Sequence, residues 1–159
     1  MASGLHFIVV LCLTSGLWFG ADANCIIRHA HPGWSQFGGK SFQFFNNPLT
    51  WSEAERFCIS VGGHLAALES PATYHFIRQV IFRATNTYPE TWVGGTDGPN
   101  EGAWLWIGGP RFAFINWGPG EPNGGRAENC IEINLGGRDY VNDSICDLKK
   151  PFVCVKHPH

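Results

Sequence analysis

Oxygen-bearing side chains accumulate toward the C-terminal end of this 159-residue sequence. They are three carboxylates and two carboxamides: Glu121, Asn123, Glu128, Asn142 and Asp143. Ca²⁺ takes about six to eight oxygen ligands of these types, whereas zinc prefers the sulfur and imidazole groups that this set lacks. The set therefore indicates a calcium site. Such residues are also common in hydrated loops, and residue types alone leave that simpler interpretation open.

Three of these side chains fall in a connection, from about residue 112 to residue 129, that is rich in Gly and Pro. Long connections of this kind are uncommon in compact domains unless they are functional. A flexible linker has no reason to concentrate oxygen donors, but a cation can organise a loop that has no core. The pattern therefore favours a loop that folds around a metal.

The helices that must position this loop are predicted in the first half of the chain. Residues 49–58 predict a short helix, because Thr50 and Glu53 have the spacing of a capping box. A second helix is predicted from Ser70 to about Ala84. Its expected buried face consists of Phe76, Ile77, Val80 and Ile81.

Short strand candidates dominate the second half and are separated by turns. The candidates are residues 64–68, 92–94, 104–106, 130–133, 140–141 and 152–155. Helices followed by a run of strands are typical of an α+β domain rather than of alternating βαβ units.

The composition excludes several classes of protein. A chain that is 44% hydrophobic and 14% aromatic has enough apolar surface to fold, which argues against disorder. The net charge of −2 and the lack of any Lys/Arg run argue against binding to nucleic acid or to an anionic membrane. The sequence also has no Gly-x-Ser-x-Gly, His-Glu-x-x-His or phosphate-loop motif, and we expect no enzyme activity.

Residues 1–23 are predicted to be a secretory signal peptide. They contain an apolar run, residues 7–13, and a small-x-small cleavage pattern at residues 21–23. Residues 14–16 interrupt the apolar stretch, which disfavours the alternative of a retained membrane anchor. We therefore expect an extracellular protein whose single domain covers residues 24–159.

Five of the six cysteines would remain after cleavage: Cys25, Cys58, Cys130, Cys146 and Cys154. An oxidising compartment favours disulfides. Two bridges would leave one thiol over, and parity alone does not identify it.

Several short motifs occur in a fixed order along the chain. They are residues 51–58, Gly63-His64-Leu65-Ala66, Trp92-Val93-Gly94-Gly95, Trp104-Leu105-Trp106, Glu121-Pro122-Asn123, Glu128-Asn129-Cys130 and Asn142-Asp143, with Cys146 and Cys154 behind them. In this order they resemble the C-type lectin-like domain family, which includes single-domain fish lectins and type II antifreeze proteins. The resemblance implies an α+β fold with two helices, small antiparallel sheets and a long calcium-binding loop region.

The resemblance also implies how the cysteines pair. The family would join Cys58 to Cys154 and Cys130 to Cys146, and would hold the Glu121–Pro122 peptide bond in cis. Cys25 is then without its usual partner. We expect it to form an interchain disulfide in a homo-oligomer, with a capped or free thiol as the alternative.

Glu-Pro-Asn is the family's mannose-type motif, which implies binding of mannose, N-acetylglucosamine, glucose or fucose. All five oxygen-bearing residues would be Ca²⁺ ligands. Glu121 and Glu128 would also accept hydrogen bonds from the sugar hydroxyls, and Asn123 and Asn142 would donate them. The role implied is innate-immune recognition of microbial glycans, and the alternative is ice binding like that of a type II antifreeze protein.

Two positions depart from the family pattern. Val141 stands where a Trp usually precedes Asn-Asp. Asp97 and Glu101 match ligands of the family's second calcium, but Gly124 replaces a residue that is often acidic. We therefore expect weak binding, if any, of a second ion.

Overall fold

Two helices pack on a mixed sheet in residues 33–157, the part of the chain that the computed structural model describes. The helices are α1 (Trp51–Ser60) and α2 (Pro71–Thr85). The strands are β1 (Ser35–Phe37), β2 (Lys40–Leu49), β3 (His64–Leu65), β4 (Thr91–Thr96), β5 (Leu105–Trp106), β6 (Cys130–Ile133), β7 (Val141–Ser144) and β8 (Lys150–Lys156). The α+β prediction is confirmed. The predicted signal peptide and Cys25 lie outside the described residues, within which no helix is both long and apolar enough to cross a membrane.

Both helices begin at the caps that the sequence predicts. In α1 the Thr50 hydroxyl accepts from the Glu53 backbone N–H, and the Glu53 carboxylate accepts from the Thr50 N–H at 3.0 Å. In α2 the Ser70 hydroxyl accepts from the Thr73 N–H at 3.1 Å. These bonds satisfy backbone donors that have no partner inside the helix.

The buried face of α2 differs from the prediction at two positions. Ile77, Val80 and Ile81 are buried as expected, but Tyr74 lies in the core and Phe76 is only half-buried. Phe76 sits at the edge of the face, where its ring stacks on Phe37 of β1 at a centroid distance of 4.7 Å. Aromatic packing from the neighbouring strand thus covers a side chain that helical periodicity assigns to the interior.

The sheet is continuous, with the strand order β1-β2-β8-β4-β6-β7, and β3 and β5 pair at its sides. All neighbouring strands are antiparallel except β4 and β8, which pair in parallel through Trp92 and Phe152. The small antiparallel sheets of the prediction are therefore joined into one sheet by this parallel pairing. One cluster of the core lies between α2 and the sheet, and a second cluster includes Ala54 and Cys58 of α1.

The strand boundaries differ from the prediction in a way that matters for function. β3 is shorter than residues 64–68, while β7 covers residues 141–144 instead of 140–141. In β7, Asn142 pairs with Glu132 and Asp143 pairs with Ile131. Two predicted metal ligands therefore stand on a strand and not in a loop.

The two disulfides join the pairs that the family resemblance implies. Cys58–Cys154 links α1 to β8 across a sequence separation of 96, and Cys130–Cys146 spans the β6–β7 hairpin with a separation of 16.

Candidate functional site

The long connection between β5 and β6 is fastened to β7 at its base. The Val141 N–H donates to the Asn116 carbonyl at 2.9 Å, and the Gly118 N–H donates to the Val141 carbonyl at 2.8 Å. Val141 itself is fully buried, and Trp117 packs against the core cluster that contains it. The loop thus leaves and returns next to the strand that carries Asn142 and Asp143.

The tip of the loop is held by the Asp143 carboxylate. Its Oδ1 accepts from the Asn123 N–H at 3.0 Å, and its Oδ2 accepts from the Gly124 N–H at 2.9 Å. Asp143 is 1% exposed. The Glu121–Pro122 bond at this tip is cis, which confirms the expectation from the family. Residues 121–124 are therefore placed beside β7 by a buried charge.

Glu121 occupies a strongly negative environment. Its Oε2 is buried and has no hydrogen-bond partner among the described residues. Burial, followed by the neighbouring carboxyl group of Asp143 and the charges of Glu128 and Glu132, raises the pKa of Glu121. A cation at this position would relieve that repulsion.

Glu128 reaches the same loop tip because residue 124 is glycine. A Cβ atom on Gly124 would collide with the Glu128 side chain, including its Oε2 atom. Gly124 therefore provides the space that Glu128 occupies. The same residue lacks the carboxylate that the expected second calcium site would use.

Asn142 makes a contact that the sequence analysis missed. Its Nδ2 donates to Glu132 Oε1 at 2.9 Å, across the β6–β7 pair. Glu132 is 1% exposed, and a carboxylate in an otherwise apolar strand, Cys-Ile-Glu-Ile, is the sequence signal that could have drawn attention to it.

Lys150 balances the buried charge of Glu132. Its Nζ lies 2.5 Å from Glu132 Oε2 and 2.8 Å from Glu90 Oε2, and it faces the Trp92 ring at 5.4 Å. Burial raises the pKa of Glu132, and the contacts with Lys150 and Asn142 oppose that rise. Burial alone would lower the pKa of Lys150, but its two carboxylate partners raise it.

The residues of the expected second ion lie in a separate depression. Asp97 is buried; its Oδ2 accepts from the Gly102 N–H at 2.8 Å, and its Oδ1 has no partner among the described residues. Glu101, Arg126 and Asn129 line the same depression. Arg126 adds a cationic side chain at this rim, and weak binding of a second ion stays a prediction.

The predicted ligand set fits a hard cation by its chemistry. It offers three carboxylates and two amides, and one carboxylate oxygen of Glu121 is buried without a partner. Within residues 33–157, however, no three Asp, Glu, His or Cys side chains are grouped so that they could hold a metal ion. The loop and β7 bring the predicted residues into one neighbourhood, and their role as ligands stays a prediction.

The amino-acid sequence is similar to those of known lectins. A model of the lectin C-type domain family matches residues 47–156. Galactose-specific lectin nattectin from Thalassophryne nattereri is 35% identical over 159 residues, covering 99% of each sequence. Ladderlectin from Oncorhynchus mykiss is 40% identical over 121 residues, which are 75% of this chain and 63% of that protein.

A solved structure gives the same fold. The herring type II antifreeze protein superposes with a TM-score of 0.77 at 25% identity, over 82% of this chain and 100% of that one. The similar proteins thus include lectins and an antifreeze protein.

Proposed function

This chain belongs to the lectin C-type domain family, and from that premise we propose that it is a secreted, calcium-dependent lectin that binds mannose-type sugars. The family and the lectin names of its relatives indicate a carbohydrate-binding protein and not an enzyme. The observation that supports calcium dependence best is the partnerless, buried oxygen of Glu121 among the charges of Asp143, Glu128 and Glu132.

In the proposed site, the sugar would be bound by one Ca²⁺ ion and by four of the five side chains that hold the ion. Glu121, Asn123, Glu128, Asn142 and Asp143 would hold Ca²⁺, which would supply coordination positions for two neighbouring sugar hydroxyls. Each hydroxyl would donate a hydrogen bond to a carboxylate of Glu121 or Glu128 and accept one from an amide of Asn123 or Asn142. The order of acceptors and donors around the site would then select the geometry of the two hydroxyl groups.

The proposed sugar preference follows from the residues of the loop tip. The Glu-Pro-Asn motif supports mannose, N-acetylglucosamine, glucose or fucose, whereas the name of nattectin states galactose specificity for that protein. Recognition of such sugars on microbial surfaces, in innate immunity, is the biological role that this preference would fit.

Affinity chromatography tests the proposal directly. The full chain, expressed in a secreting host, is applied to mannose-agarose and to galactose-agarose in millimolar Ca²⁺, and each column is eluted with EDTA. We expect retention on mannose and release by EDTA. Retention on galactose alone would overturn the sugar assignment, and retention that EDTA does not reverse would overturn calcium dependence.

Ice binding is the second candidate, favoured by the structural match to the herring antifreeze protein. Flow-through on both columns in Ca²⁺, combined with shaping of ice crystals by the purified protein, would replace the lectin proposal with this one.

A further inference from the structure

We propose that Glu132 is a positioning residue that fixes which edge of the Asn142 amide faces the candidate calcium and sugar site, an inference that rests on the proposed function of that site. The amide group of an asparagine can turn over about its Cβ–Cγ bond with little change in shape. Its oxygen and its nitrogen then exchange places. A ligand oxygen at this position therefore needs a neighbour that distinguishes the two orientations.

The strand register supplies that neighbour. Glu132 and Asn142 are direct partners in the β6–β7 pair, and Asn142 Nδ2 lies 2.9 Å from Glu132 Oε1. An ionised carboxylate accepts hydrogen bonds and donates none, so only the NH₂ edge of Asn142 can face it favourably. The amide oxygen is thereby left for a cation, and the second N–H stays available for a sugar hydroxyl.

Lys150 makes Glu132 suitable for this role. Lys150 Nζ contacts Glu132 Oε2 at 2.5 Å and Glu90 Oε2 at 2.8 Å, while the Glu132 side chain is 2% exposed. A buried carboxylate needs a partner of opposite charge, and the ammonium group provides one on the side away from Asn142. Glu132 thus has one oxygen directed to each neighbour.

Replacing the Glu132 carboxylate with a neutral amide would change the hydrogen bonds to both of its neighbours, Lys150 and Asn142. In Glu132→Gln, the new amide oxygen would turn to Lys150, because an ammonium group only donates. The new NH₂ group would then face Asn142, whose amide would turn over to accept from it. The Asn142 oxygen would be withdrawn from the ion site, although the shape and the fold would be preserved.

Calcium titration of the full chain, with Ca²⁺ alone as the ligand, tests this consequence. We expect Glu132→Gln to weaken Ca²⁺ binding by about tenfold to a hundredfold, the usual effect of losing a residue that orients a metal ligand. Glu90→Gln is the matched control. It removes the charge of the outer partner of Lys150 and leaves the Glu132–Asn142 bond, and we expect affinity within about twofold of wild type.

Equal Ca²⁺ affinity of Glu132→Gln and wild type would overturn the proposal. An equal loss in Glu90→Gln would also overturn it, because the effect would then come from the charge network and not from the amide. Unfolding curves in EDTA show whether each variant is folded.

Side-chain amide NMR signals of the calcium-free protein separate this inference from the function itself. In the wild type, we expect one Asn142 NH₂ proton to exchange slowly with water, and this signal to change in Glu132→Gln but not in Glu90→Gln. Two fast-exchanging protons in the wild type would contradict the proposal, even if the variant failed to fold. Absence of Ca²⁺ binding by a protein that shows the slow proton would instead reject the function and retain the Glu132–Asn142 assignment.

Discussion

At the scale of single residues, Asp143 holds the tip of the connection between β5 and β6. Both carboxylate oxygens accept backbone N–H groups from the loop tip, and the side chain is buried. In Asp143→Asn, one of these acceptors becomes an NH₂ group that faces another donor. We expect the free energy of unfolding to fall by about 1.5–3 kcal/mol, the range for a lost hydrogen bond to a charged group.

Urea denaturation in EDTA measures this loss without any contribution from bound metal. Asp147→Asn is a suitable control, because Asp147 lies nearby in sequence and is exposed. If the two variants were equally stable, Asp143 would not hold the loop in the way that these contacts indicate.

In the proposed site, sugar selection depends on two residues of the loop tip, Glu121 and Asn123. The double variant Glu121→Gln with Asn123→Asp reverses the order of acceptor and donor in the triplet. We expect the ratio of mannose to galactose affinity to fall by about tenfold or more, since one charge-assisted hydrogen bond is worth about 1.5–3 kcal/mol. Competition of both monosaccharides against a labelled glycan gives the ratio, and an unchanged preference for mannose would reject selection by donor order.

At the scale of elements, the start of α1 makes stability depend on pH. Hydrogen bonds with the backbone and then the side chain of Thr50 lower the pKa of Glu53 from its ordinary value of 4.5. Because the folded pKa is the lower one, the ionised side chain stabilises the protein above pH 4.5, and this contribution is lost as the pH falls through the lowered pKa.

Glu53→Gln tests this dependence, because it keeps the shape of the capping box and removes the charge. We expect wild type to be the more stable protein at neutral pH and the difference in Tm to disappear on acidification. A difference that is constant from pH 7 to pH 2 would show that the charge of Glu53 does not contribute.

Local signals predicted the elements well, because caps and strand periodicity are read from residues close in sequence. Thr50 and Ser70 begin the two helices as expected. Tyr74 could not be assigned to the core in the same way. It is buried in a core cluster against residues distant in sequence, such as Phe114, whose ring centroid lies 6.2 Å from that of Tyr74.

The candidate site, too, was predictable from the sequence only where it depends on local signals. Its five ligand candidates could be chosen from their types and order, and Asp143, Asn123 and Glu121 do meet at the loop tip. The bond between Glu132 and Asn142 depends on the register of β6 with β7, and Lys150 reaches them only through the sheet order. No local pattern contains that information.

At the scale of the whole molecule, the two disulfides contribute unequally. Cys58–Cys154 closes a sequence separation of 96 residues, and Cys130–Cys146 closes 16. In the chain-entropy model these loops correspond to about 4.7 and about 3 kcal/mol. We therefore expect the double alanine variant of the first pair to lose more free energy of unfolding than that of the second, as measured by urea denaturation. The reverse order would show that packing around the bridges outweighs loop length.

Assembly of several chains would raise the avidity of the proposed lectin. A single sugar buries little surface, so useful avidity needs several linked sites. We expect Cys25→Ser to convert a disulfide-linked dimer into a monomer on non-reducing gels. A dimer that persists in this variant would mean that the subunits associate through another contact.

The main-chain bonds at the base of the loop have an evolutionary consequence. Asn116, Gly118 and Val141 are joined through backbone N–H and carbonyl groups, whose hydrogen bonds do not depend on the identity of the side chains at the tip. Substitutions at positions 121 to 128 can therefore accumulate during evolution while the backbone hydrogen bonds at the base of the loop are kept. Such a domain can acquire a new binding surface while its fold is kept. This agrees with the similarity of the chain both to a protein named for galactose specificity and to an antifreeze protein.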